Sequence, residues 1–419
     1  MKKLSVAAVL ALLTGVNNAY AAGYQLNEFS VINLGRSFAG IGVSGDDYSA
    51  LAYNPAGMTL VKRSGMQTGL TMTEVASKIK GDNGQKTDMD FMIPLPSMFG
   101  QYNVNDKLFL GAGVYVPFGL ATRYRNDSFV AEGGNGVRRS ELEVIDMNVS
   151  GAYKLDNGLS LGASAIVRYI EGSLTSNVIG KPSYGPLNGK NIAYSDFRVK
   201  GWTMTANLGA MYEFDENTRI GLSYRFKSTQ RPTGKHYVTV RDAYAPYASL
   251  LHLNTFNRFD SVSEPELPAS WILSGYHKFG EKWGTSFTVK YTQWHRFYTF
   301  PALSSGTGNL DVDYRWKDAW SFSLGQDYYL NDNWTLRAGL AWDETPVPSN
   351  TYRTNRIPDT DRLWASFGFS YTTGNHQFDL GYAHLFMMHG KVWNSDSGDV
   401  NAKYRSYSNM YGVQYQYRF

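Results

Sequence analysis

Apolar and polar residues alternate along this chain with a period of two, and that alternation narrows its possible folds more than any other feature. Strands with two different faces read this way. The last such segment is the clearest. Tyr407, Tyr411, Val413, Tyr415, Tyr417 and Phe419 share one parity, while Ser406, Ser408, Gly412, Gln414, Gln416 and Arg418 share the other. No stretch beyond the N-terminal region is apolar over the roughly 18 residues that mark a transmembrane helix. In a water-soluble sandwich the apolar parity would face a core. In a membrane barrel it faces lipid, and the polar parity lines the lumen. Composition separates the two. The chain carries 30 Tyr, 22 Phe and 10 Trp, yet its mean hydropathy is negative. Aromatic girdles at both membrane interfaces and a polar lumen produce that combination.

The turns give the strand number. Short polar turns occur at Asn103–Lys107, Leu155–Gly158, Asp215–Arg219, Gly280–Gly284, Asn331–Asn333 and Thr373–His376. Longer stretches centre near 78–90, 118–140, 176–198, 228–268, 298–315, 344–360 and 387–402. Six short turns and seven long loops connect 14 strands, so the reading is all-β: a 14-stranded antiparallel transmembrane β-barrel over residues 64–419. An even strand count with both ends on the short-turn side is the bacterial outer-membrane pattern, with short turns periplasmic and long loops outside. The aromatic final strand, ending on Phe419, resembles the signal read by the outer-membrane assembly machinery.

The N-terminal residues behave differently. Lys2 and Lys3, an apolar stretch from Leu4 to Val16 and the box Ala19-Tyr20-Ala21 predict a secretory signal over 1–21. Residues 22–63 show no sustained alternation. They hold six glycines together with Leu26, Phe29, Val31, Ile32, Leu34, Phe38, Ile41, Leu51, Met58 and Leu60. That apolar content argues against a disordered tail. A ring of this size leaves room for a compact plug, so 22–63 is expected to be a hatch inside the lumen. The absence of cysteine excludes disulfides and thiolate metal sites. A formal charge of +4 makes no case for nucleic acid.

Several blocks resemble the FadL family of outer-membrane long-chain fatty acid transporters. They are AGYQLNEFS and LGRSFAG near the start, DDYSALAYNPAGM, SGAYKLDNGLSLG (Ser150–Gly162), YTQWHRF (Tyr291–Phe297) and the long run Lys317–Tyr371 containing DETPVPSNTYRTNRIPDTDR. The resemblance implies a monomeric plugged barrel that admits long-chain fatty acids or, in other branches, aromatic hydrocarbons. Ligand is caught among extracellular loops, passes to an internal pocket, and leaves through a kinked-strand opening in the wall or past a rearranged hatch. Surrounding partners are outer-membrane lipid and lipopolysaccharide. Tyr24, Phe29 and the Asn54-Pro55-Ala56 triplet are the expected hatch and gating residues. Lys317, in the family's KDA motif, is the expected head-group cation. Ser176 stands where the family has a second cation, and Arg168, inward by parity, is a substitute. Phe118, Leu120, Leu250, Leu251, Leu253 and Phe256 are apolar residues assigned to extracellular loops, where they either capture ligand or pack together.

Other chemistry finds little support. The seven histidines form no ligand pattern. Asp311 with Asp313 and Asp359 with Asp361 are paired acids of the kind loops usually solvate. Ser286 and His295 sit on opposite parities and no G-x-S-x-G elbow exists. No catalysis, metal or cofactor is expected. A general porin or a surface adhesin are the competing readings. A porin would lack the plug.

Overall fold

The computed structural model describes residues 23–393 and 398–419, without the side chains of Leu250 and Phe300. The expected signal at 1–21 lies outside the described residues. Fourteen antiparallel strands form a closed ring. In chain order they are β1 (Gly65–Gly81), β2 (Lys86–Asn103), β3 (Leu108–Arg123), β4 (Val137–Lys154), β5 (Leu159–Ile179) and β6 (Asn191–Glu213). Next come β7 (Thr218–Arg225 and Thr233–Val240), β8 (Phe256–Ser263 and Ser270–Phe279) and β9 (Trp283–Thr292 and Ala302–Ser304), each in two stretches. The ring continues through β10 (Ala319–Tyr329), β11 (Trp334–Asp343), β12 (Arg362–Thr373), β13 (His376–Met387 and Gly390–Val392) and β14 (Ala402–Arg418). β14 pairs back onto β1 from Gly65↔Arg418 to Gly81↔Ala402, which closes the ring.

Alternation sorts the faces as the sequence implies. On β14, Tyr407, Tyr411 and Val413 are exposed, while Ser408, Gln414 and Gln416 are buried. Among the described residues no helix is long and apolar enough to cross a membrane, so strands carry the crossing. All six short turns fall between strands where Asn, Asp and Gly predict them. The long connections are shorter than expected at several places: Thr233–Val240 and Phe256–Ser263, within the expected loop 228–268, are the outer stretches of β7 and β8, and β6 and β9 likewise extend into 176–198 and 298–315. The stretch 78–90 is no loop, because β1 and β2 run on to a tight turn at 82–85. Phe118 and Leu120 belong to β3, which continues to Arg123, and both are buried within the ring.

Residues 23–61 pack inside the ring, and all but Asn27, Gly45, Asp46 and Leu60 are buried. Two single-turn helices, α1 (Val31–Leu34) and α2 (Ala50–Tyr53), and a 3-10 turn at Pro55–Leu60 compose the segment. Its backbone reaches the wall on all sides. Val31 N donates to Gln414 Oε1 of β14 (3.0 Å), and Gly40 N donates to Phe287 O of β9 (3.3 Å). The fully buried Arg36 pairs with Asp46 within the segment and with Asp327 of β10, both at 2.8 Å. The ring itself begins at Gly65.

Candidate functional site

The Asn-Pro-Ala triplet forms the joint between α2 and the 3-10 turn. Asn54 Oδ1 accepts from Ala56 N (3.1 Å), a capping bond, and its Nδ2 donates to Ala210 O of β6 (3.1 Å). Pro55 opens the 3-10 turn, where its missing N–H costs nothing. The joint rests on wall glycines. A Cβ at Gly162 would stand 2.5 Å from Ala56 N, and one at Gly209 would overlap Asn54 Oδ1. Inward-facing polar side chains complete the seat: Asn207 Nδ2 and Ser223 Oγ both donate to Tyr53 O, at 3.1 and 2.8 Å. Phe29 is stacked on Tyr53 (4.4 Å between ring centroids) and touches Tyr115 (4.6 Å).

The start of the hatch lies beside a break in the wall. β2 pairs with β3 only from Met98↔Val114 to Asn103↔Phe109, although both strands run well past that point. On its other edge β3 stays paired with β4 but carries one extra residue between Tyr115 and Phe118, where Pro117 sits. A bulge of this kind bends a strand and ends pairing. The hatch takes over the vacated stretch of β3: Leu26 N donates to Pro117 O and Gly119 N donates to Tyr24 O, each at 2.8 Å. Ile93 and Leu95 of β2 and Val116, Phe118 and Leu120 of β3 line the break in one buried apolar cluster with Tyr24 and Leu26. Tyr24 itself is ringed by Trp294 (4.7 Å), Phe297 (5.3 Å), Trp316 (5.6 Å) and Phe118 (6.1 Å).

Above Tyr24, toward the long loops, lies a narrow apolar cavity of about 30 Å³, room for little more than a water, so a ligand chain has to part its walls to enter. Leu120, Leu142, Leu174, Phe197, Val199 and Ile357 form its greasy walls. Arg356 stands at its margin, on the loop between β11 and β12. Its Nη2 donates to Ser176 Oγ (2.6 Å) and its Nη1 to Ser140 Oγ (3.2 Å). Both acceptors are neutral, and among the described residues no carboxylate lies within ion-pairing distance of it. Burial pulls its pKa below the ordinary arginine value. Tyr24 Oη is buried and has no hydrogen-bond partner among the described residues. The lining also includes Glu141, which is paired with Arg123 and Arg139, so Arg356 is the lining cation left without an ion pair among the described residues.

The other expected residues stand elsewhere. Lys317 is half exposed and paired with Glu344, outside the cavity lining. Arg168 is fully buried, held by Asp146 through Nε (2.6 Å) and Nη2 (2.8 Å), with its guanidinium 5.2 Å from the Phe118 ring. Asp146 also receives Arg225 Nη1 (2.9 Å). Leu253 packs on the Ala193, Val238, Val240 and Ala248 cluster, and Leu251 is partly buried. Phe256 is exposed and stacks on Tyr237 (6.2 Å). The side chain of Leu250 lies outside the described residues. Of the residues assigned to loops, Leu120 lines the cavity and Phe118 flanks it. Arg356 carried no role in the sequence reading, although it lies within the family block NRIPDTDR.

A closed membrane ring, a segment packed inside it, an apolar chamber and a break in the wall define an outer-membrane channel for hydrophobic compounds. The chain belongs to the outer membrane protein transport protein family (OMPP1/FadL/TodX), which it matches over residues 12–419. It is 30% identical over 447 residues to the long-chain fatty acid transport protein of Escherichia coli (strain K12), covering 100% of this chain and 98% of that one. It is also 30% identical over 464 residues to outer membrane protein P1 of Haemophilus influenzae, covering 98% of each. Among solved structures, a Pseudomonas aeruginosa FadL homologue superimposes with a TM-score of 0.86 at 21% identity, over 95% of this chain and 100% of the other. The Pseudomonas putida toluene transporter TodX gives 0.70 at 20% identity, over 89% and 94%.

Proposed function

We propose that this protein takes up long-chain fatty acids. The observation that carries the reading is Arg356, which forms no ion pair among the described residues and stands at the edge of an apolar chamber. Asp399 acts on Arg356 only from beyond ion-pairing distance, and an aromatic hydrocarbon would add no closer counter-charge in this low-dielectric site. A fatty acid supplies both the chain and the counter-charge. Lys317 and Arg168 each already face a carboxylate, so the head-group role is assigned to Arg356, with Ser140, Ser176 and Tyr24 beside it. The 30% identity to a long-chain fatty acid transport protein supports the same substrate.

The route follows the apolar surfaces. Ligand enters from the long-loop end, where Lys317 offers a first, exchangeable contact, and settles in the chamber. Movement of Tyr24–Leu26 away from β3 frees the break between β2 and β3, and the chain slides sideways into the outer membrane. The test is binding of oleate, oleyl alcohol and toluene to the purified protein, together with growth of a strain lacking it on dilute oleate. Oleate should bind tightest and growth should fail. Toluene binding at parity with oleate, with normal growth, would move the substrate to the aromatic class.

A further inference from the structure

One row of the outer wall gathers four cations side by side. Lys391 of β13, Lys403 of β14, Lys80 of β1 and Lys86 of β2 stand directly opposite one another in a single register row. In the next row toward the membrane, Arg405 faces Lys78, which faces Asp88. All these side chains are exposed, and the parity of 403 and 405 is that of the lipid-facing Tyr407. Like charges directly opposed across neighbouring strands repel. Asp82, Asp88 and Asp90 lie nearby on the hairpin, yet none forms an ion pair with this cluster among the described residues. Elsewhere on the upper wall many cations are matched: Arg123 and Arg139 with Glu141, Arg198 with Asp196, Lys235 with Asp260 and Lys227 with Glu266; Lys200 and Arg258 stand singly, opposite Thr233 and Tyr237.

The height of the row is informative. The exposed apolar band on these strands reaches Phe386, Tyr407 and Met92. Arg405 and Lys403 lie two and four residues beyond Tyr407, about 7 and 13 Å along the strand. With the usual tilt of membrane barrels the row stands about 10 Å above the apolar band. That is the level of the headgroups of the outer leaflet. Four neighbouring strands spread the lysines over about 14 Å, the scale of a phosphorylated disaccharide. The apolar band directly below can take acyl chains.

We infer that this four-lysine row is a docking site for the bis-phosphorylated glycolipid of the outer leaflet, with its phosphates over the lysines and its acyl chains along β13, β14, β1 and β2. The bound polyanion removes the repulsion that the register builds in. It also marks one side of the barrel, since no other register row among the described residues sets four cations opposite one another.

The experiment is native mass spectrometry of the full-length mature protein in mild detergent, titrated with bis-phosphorylated lipid A, mono-phosphorylated lipid A and phosphatidylglycerol. The natural protein should prefer the bis-phosphorylated form about tenfold or more. The variant carrying Lys80→Gln, Lys86→Gln, Lys391→Gln and Lys403→Gln should lose about tenfold in affinity and lose the preference, while four Lys→Arg changes at the same positions should keep both. Heat-modifiable gel migration shows that each barrel is folded. Binding by the Gln variant within twofold of natural overturns the inference, as does an equal loss in an Arg198→Gln, Lys235→Gln control. Retained lipid A binding with slower, salt-dependent oleate association would make the row a steering surface and also overturns it. Oleate binding at equilibrium reports on the chamber separately, so failure of the fatty acid reading is not confused with failure of this one.

Discussion

Replacing Arg356 by Gln should weaken binding of a fatty acid far more than binding of the matching alcohol. Arg356 donates to Ser176 Oγ at 2.6 Å and to Ser140 Oγ at 3.2 Å, both neutral acceptors. A carboxylate brought to the same guanidinium makes a charge-assisted bond, and such bonds contribute about 1.5–3 kcal/mol net. At about 1.4 kcal/mol per decade, oleate should lose roughly 10- to 150-fold in affinity. Oleyl alcohol has no charge to lose and should change by less than about threefold, since it keeps its chain burial. Gln is shorter than Arg but still reaches toward one serine, so the loop keeps part of its hydrogen bonding. Arg356→Lys should recover part of the oleate affinity through charge alone, without the planar fork. Displacement of a fluorescent fatty acid from the purified protein by each ligand measures all three. Equal losses for acid and alcohol would refute the assignment, because Arg356 would then shape the chamber without reading the head. Unchanged oleate binding in Arg356→Gln alongside a loss in Lys317→Ala would return the role to Lys317.

Three further expectations concern the hatch and the wall. Deleting Pro117 removes the extra residue between Tyr115 and Phe118, so β3 should straighten and the break should close; oleate uptake should fall at least tenfold while the barrel still assembles, and unchanged uptake would discard the lateral exit. Gly209→Val overlaps Asn54, and overpacking of this kind costs about 1–3 kcal/mol; larger planar-bilayer conductance is expected, with Asn54→Ala giving a smaller rise, and a sealed barrel in both would deny that this joint seats the hatch. Burial pushes the Glu28 carboxyl from its ordinary 4.5 up to about 7. The seated hatch therefore holds a proton that an unseated one would release, and seating weakens as pH rises from about 4.5 to 7, by on the order of 3 kcal/mol in full. Conductance should rise across that window and flatten in Glu28→Gln; an identical pH profile in the variant would remove Glu28 from the account.

Strand number and facing were readable because both signals are local. Alternation within one strand and Asn, Asp or Gly at its turn do not depend on distant partners. The misplacement of 78–90 has a physical cause: here the outer face carries Lys78, Lys80, Lys86 and Asp88 in place of apolar residues, while Ile79 and Met89 turn inward to a buried apolar cluster, so the stretch reads as polar though its alternation persists. Phe118 and Leu120 read as loop because β3 loses its β2 partner there, and the hatch that replaces it comes from more than 80 residues earlier in the chain. Lys317 pointed inward by parity, but parity carries no information on its neighbour Glu344. Arg356 sits in an aperiodic loop, and its partner Ser176 is 180 residues away. That Ser176 occupies the family's cation position was a usable signal, since a missing charge invites a search for one arriving from another element.

The hatch also dictates an order of assembly. It is the earliest part of the described chain, yet Val31 bonds Gln414, 383 residues later, and Arg36 bonds Asp327, 291 residues later. Contacts of such separation form late, because the intervening chain must be ordered before they exist. Until β14 meets β1 there is no enclosed lumen, and the buried Arg36, Glu28 and Asp47 have no settled surroundings. The segment must therefore wait, solvated, while the wall is laid down, and enter as the seam closes. A pulse-chase with protease added from the periplasmic side would find residues 23–61 cut before closure and protected after it.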